Sequence, residues 1–120
     1  MIIKNVNVKV PNVLSYENLL SNEKKEIIDF IDSQIKFWFK NYPKEPFSAV
    51  ALFGKTRFQD WTKIPLNSIL KENTKRFKNE PEKAYRQSGV DVGYLLKWRC
   101  SLSPYYIRII KGFTLTYSFL

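Results

Sequence analysis

The chain has 120 residues, with 20 Lys/Arg against 11 Asp/Glu, no His and one Cys. A 44% apolar content over that length suits one folded domain, residues 1–120, with its own core, and excludes a disordered basic tail. The missing His removes most zinc sites and the Ser-His and Cys-His nucleophile pairs, and the lone Cys100 cannot form an internal disulfide.

The charge is unevenly placed. Residues 1–40 carry six Lys and five Asp/Glu, and residues 41–120 carry fourteen Lys/Arg and six Asp/Glu, so +8 of the net +9 lies beyond residue 40. With a sequence pI near 9.7, this points to a polyanionic partner, nucleic acid foremost. No segment has the length of a signal peptide core or of a membrane span, so a soluble cytoplasmic protein is expected. The Lys-, Asn- and Ile-rich composition fits an AT-rich genome, that of a phage or a low-GC bacterium.

In chain order, the alternation of Ile2, Val6, Val8 and Val10 with Asn5, Asn7 and Lys9 predicts a half-buried N-terminal strand, stopped by Pro11. A polar stretch over 12–22 follows. Ile27, Ile28, Ile31, Ile35, Trp38 and Phe39 recur at helical steps and predict a long helix over 23–40, which Tyr42-Pro43 ends. Phe30 and Phe37 widen its apolar arc beyond half the circumference, so core packing or a homodimer through 27–39 would both use it. Asp29, Asp32 and Glu26 read as surface patterning on its polar side. The run 46–54 predicts a short buried helix with Pro46 at its first position and Gly54 just past its end; a buried strand is the alternative. Residues 55–64 form a connector pinned by Phe58 and Trp61. Pro65 opens the next helix, with Leu66, Ile69, Leu70 and Phe77 inward. Lys71, Lys75 and Lys78 form its basic stripe, flanked by Arg76.

The C-terminal end predicts a β-hairpin. Tyr105, Ile107, Ile109, Phe113, Leu115, Tyr117 and Phe119 share odd parity, so a pairing that keeps odd residues opposite odd residues is required. A two-residue turn violates that. A three-residue loop, Ile110-Lys111-Gly112, satisfies it if Gly112 is left-handed. Tyr105 then faces inward and Tyr106 outward, where it can stack on a single-stranded base. The expected fold is α+β: a compact helical body with an N-terminal strand and a C-terminal β-hairpin.

Helices followed by a hairpin, with Pro81–Gln87 as a short helix, Ser88-Gly89 as a turn and Asp91–Cys100 as a second helix, resemble the winged helix-turn-helix DNA-binding proteins over residues 65–120. The resemblance implies a winged-helix-like fold in which Val90, Leu95 and Trp98 face the core and Gly89 has positive φ. The start of the second helix, Asp91-Val92-Gly93, and an outward Leu96 offer few groups to base edges. Phosphate contacts through Lys71, Lys75, Lys78, Arg86, Lys97, Arg108 and Lys111 are the expected binding set.

No Glu-x-Lys or Asp-x-Lys nuclease pair sits on a strand. Gly54-Lys55-Thr56 lacks the upstream glycine of a phosphate loop. No catalytic, metal or cofactor site is expected. The leading reading is a small basic nucleic-acid-binding protein of regulatory, mobile-element or phage type, with duplex DNA the favoured partner. The alternative is a protein-interaction module or inhibitor, a phage-type antagonist that docks an acidic partner protein.

Overall fold

The structure, a computed structural model, describes residues 2–3, 10–56, 60–112 and 114–120. Among these, the order is strand β1 (Ile2–Ile3), helices α1 (Leu14–Glu17), α2 (Ser21–Asn41), α3 (Ala49–Phe53), α4 (Asn67–Arg76) and α5 (Pro81–Leu102), then strands β2 (Ile107–Ile110) and β3 (Thr116–Phe119). The result is an α+β domain with a helical core and a small C-terminal hairpin. Of the predicted strand over 2–10, only the pairing of Ile2 and Ile3 with Arg108 and Ile107 is described. Residues 4–9, like Phe58 in the connector, lie outside the described residues.

Helix α2 forms where the periodicity places it. The Glu23 carboxylate accepts the Leu20 amide at 3.0 Å, which satisfies one of the donors a helix start leaves open. Ile27, Ile31 and Ile35 are buried along one stripe. Asp32 departs from the surface reading: its carboxylate takes both Arg99 Nε at 2.9 Å and Arg99 Nη2 at 2.7 Å, a two-point tie between α2 and α5.

The short apolar run is helical, but it begins at Ala49 rather than Pro46. Phe47 is held extended by paired backbone bonds with Tyr117, at 2.8 and 2.7 Å, and Ser48 then caps α3 by accepting from the Ala51 amide. Gly54 ends the helix at φ 79°, a conformation that glycine tolerates best. Trp61 is buried and its indole donates to the Gly54 carbonyl, which fixes the connector as expected.

Residues 81–102 form one continuous helix, so the helix-turn-helix laid on 81–100 is not made there. Neither Gly89 nor Gly112 has positive φ; among the described residues only Gly54 and Asn79 do. The physical reason is that Ala84, Ser88, Asp91, Leu95 and Trp98 keep one helical spacing through Gly89, and all five are buried. Leu96 and Asp91, expected outward, are inward, and Val90, expected inward, is 47% exposed.

The hairpin keeps the predicted parity but not the predicted loop. Ile107 pairs with Phe119, Ile109 with Tyr117 and Ile110 with Thr116, so the connection is Lys111–Leu115 rather than a three-residue turn. Parity fixes only that odd faces odd; the aromatic packing selects the register. In it Tyr117 stacks on Phe47 with centroids 5.5 Å apart, and Phe119 meets Phe39 and Tyr105. Leu115 consequently leaves the core face for the loop. Tyr105 stacks on Phe39 at 4.1 Å, while Tyr106 faces outward as predicted.

Candidate functional site

All seven residues of the expected binding set are exposed. Their directions follow from the packing of α4 on α5. At the inner side of α4, Asn73 Nδ2 donates to Ser88 Oγ and to Asp91 Oδ2, each at 3.0 Å. A helix advances about 100° per residue, so Lys71 and Lys75 each lie about 160° around α4 from Asn73. They therefore point away from α5. On α5, Arg86 and Lys97 lie about 160–180° around from Ser88, and about 20° from one another. They point away from α4. The two pairs consequently occupy opposite sides of the α4–α5 layer and cannot grip one ligand surface together.

The stripe on α4 runs Lys71, Lys75 and then Lys78, which is exposed in the turn beyond the C-cap residue Phe77. Arg76 flanks it, its guanidinium 4.8 Å from the Phe77 ring centroid. Glu72 is the one carboxylate on this helix, and it holds Lys75 Nζ at 3.5 Å. Arg108 lies on the outer side of β2, and Lys111 in the hairpin loop, on elements separate from both stripes.

Between the helices lies a buried polar cluster that the sequence reading missed. Asp91 Oδ2 accepts from Ser15 Oγ at 2.7 Å and from Asn73, and its Oδ1 accepts from Gln87 Nε2 at 2.8 Å. Ser88 Oγ donates to the Ala84 carbonyl. Among the described residues, Asn73 Oδ1 has no hydrogen-bond partner. The signal was positional: Asn73 sits four residues after Ile69, and Asp91 four before Leu95, both on apolar stripes. The cluster ties α1, α4 and α5 together. Asn73 is fully enclosed and Asp91 nearly so, at 0% and 4% exposure, which suits a structural role.

Cys100 is fully buried, and burial pushes its thiol well above the usual range, so it is no nucleophile at neutral pH. Among the described residues no cluster of acids and thiols could hold a metal ion. Among the described residues, no helix is long and apolar enough to cross a membrane. No family model, no curated protein and no solved structure matches this chain.

Proposed function

We propose that this is a small non-enzymatic nucleic-acid-binding protein that holds phosphates along the outer side of α4. The observation that carries the reading is the direction of Lys71 and Lys75: they share one side of α4, turned away from the core, with Arg76 and Lys78 continuing the charge. Lys71 and Lys75 are both exposed there, and a rod-like polyanion laid along them would run beside α1, which packs on α4. Duplex DNA suits it best. Lysine contacts to phosphate give affinity without base reading, and α5 gives its inward side to the core rather than to a groove. A regulatory, mobile-element or phage protein would use such binding to sit on nucleic acid with little sequence preference.

Fluorescence anisotropy with a labelled duplex tests the proposal. If about four phosphates are neutralised, log affinity falls with log salt at a slope of about −3.6. Affinity that does not change with salt, or no binding at low salt, would contradict it.

A further inference from the structure

Beside the basic stripe, where α1 packs on α4, lies a cavity of about 230 Å³. Ser15 on α1 and Asn73 on α4, at 3% and 0% exposure, form its floor. Leu14, Lys75 and Arg76 are exposed at its rim, and Glu72 stands half-buried between. Going one way around α4 from Asn73, Arg76 comes at about 60°, Glu72 at about 100° and Lys75 at about 160°. The cavity therefore borders the stripe that Lys75 shares with Lys71. Its wall holds an unmet acceptor. Asn73 commits its Nδ2 to Ser88 and Asp91, and among the described residues its Oδ1 is the one buried side-chain polar atom without a partner. A buried acceptor left unpaired is costly, so such an atom in a cavity wall marks a place for an N–H group. Glu72 adds a second acceptor, because it holds Lys75 only loosely, at 3.5 Å. Arg76 lies over the Phe77 ring, which leaves its N–H edge for an oxygen. The α3–α5 cleft, at about 340 Å³, is larger, but among the described residues no unpartnered buried polar atom lies in its wall.

We infer that this cavity takes one unpaired guanine from a strand whose phosphates lie on Lys71 and Lys75. The inference rests on the phosphate-binding reading and adds a base to it. A ligand here must carry negative charge at the mouth and N–H groups at the floor. Guanine has two neighbouring N–H groups, N1–H and the N2 amine, for Glu72 and Asn73 Oδ1, and its O6 can accept from Arg76. Thymine presents one N–H between two oxygens, and so sets an oxygen against one of the two acceptors. The size agrees: sites for drug-sized ligands start at about 300 Å³, and a single base needs less. Leaving the stack costs least for a base that is already unpaired, so a bulge suits the site better than a paired base. Because Asn73 is 0% exposed, Leu14, 48% exposed on the four-residue α1, turns aside as the ring enters.

The test compares three labelled duplexes in anisotropy titrations of the full chain at one salt concentration: fully paired, with one bulged guanine, and with one bulged thymine. The guanine bulge should bind about tenfold tighter than the other two. Glu72→Ala should bring that ratio close to one, and Arg86→Glu with Lys97→Glu should leave it unchanged. If Glu72→Ala does not fold, Leu14→Trp, which fills the mouth from the rim, serves instead. Guanosine 5′-monophosphate alone, titrated into ¹⁵N-labelled chain, should shift the Asn73 side-chain amide and backbone amides within 14–18 and 72–76. Equal affinity for the two bulges, a guanine preference that survives Glu72→Ala or Leu14→Trp, or shifts confined to other residues would each overturn the inference. Salt-dependent binding of all three duplexes with no guanine preference would overturn it and leave the phosphate reading standing. Mononucleotide shifts at these amides without duplex binding would overturn the phosphate reading, and with it the placing of a strand on Lys71 and Lys75.

Discussion

Asp91, 4% exposed, accepts three hydrogen bonds from Ser15, Asn73 and Gln87, and that makes it the most consequential polar residue of the helical body. Asp91→Ala strands donors on Ser15 and Asn73 together, and a stranded buried donor costs roughly 1–3 kcal/mol. Urea denaturation should show a clear loss of stability; an unchanged midpoint would mean that the cluster is wetter than its burial suggests. Cys100 and Tyr117 make a second prediction. Burial is the main cause that raises both above their ordinary values of 9.0 and 10.0. Their contribution is fully present below those ordinary values and is lost as pH rises from there through the native values, because only the unfolded chain has ionised. The urea midpoint should therefore fall steadily above about pH 9 and fall less in Cys100→Ala. The native thiol should also resist a disulfide reagent until the chain is unfolded.

At the scale of elements, two glycines with opposite roles separate helix propensity from turn geometry. Gly89 lies inside α5 with open space above it, so Gly89→Ala should stabilise by about 1 kcal/mol in thermal melts. Gly54 closes α3 at φ 79°, and a Cβ there would come within 2.5 Å of the Asp60 carboxylate that caps Lys55 N, so Gly54→Ala should destabilise. An equal response from both would contradict the structure. The same contrast explains what could be read in advance. Helix α2, the C-terminal stop at Gly54 and the hairpin parity were legible, because apolar spacing and a glycine at a helix end report local rules. The break at Ser88-Gly89 was misread. A glycine inside a helix looks like punctuation until the buried neighbours Ala84 and Leu95 show one helical stripe running through it. The hairpin loop length was not legible either. It is set by Phe47, sixty or more residues upstream, whose pairing with Tyr117 no local pattern reveals.

For the molecule as a whole, charge is abundant but divided. The exposure of Lys71, Lys75, Lys78, Arg86, Lys97, Arg108 and Lys111 was legible from their charge and, for the α4 lysines, from their helical stripe, yet their grouping was not. Composition counts charges, and only the packing of Asn73 against Ser88 and Asp91 turns Lys71 and Lys75 to one side and Arg86 and Lys97 to the other. The cleft between α3 and α5 beside Gly89 was likewise invisible, since its walls come from 49–56, Trp61 and 82–92. The central claim is that phosphate contact belongs to the α4 side alone. It is tested most directly by comparing two charge reversals, Lys71→Glu with Lys75→Glu and Arg86→Glu with Lys97→Glu, which change net charge equally. In anisotropy titrations of a labelled duplex across a salt series, the first pair should lower affinity at least tenfold and reduce the salt slope by about 2. The second should leave the slope near its wild-type value. Equal losses from both pairs, or a larger loss from the α5 pair, would contradict the account.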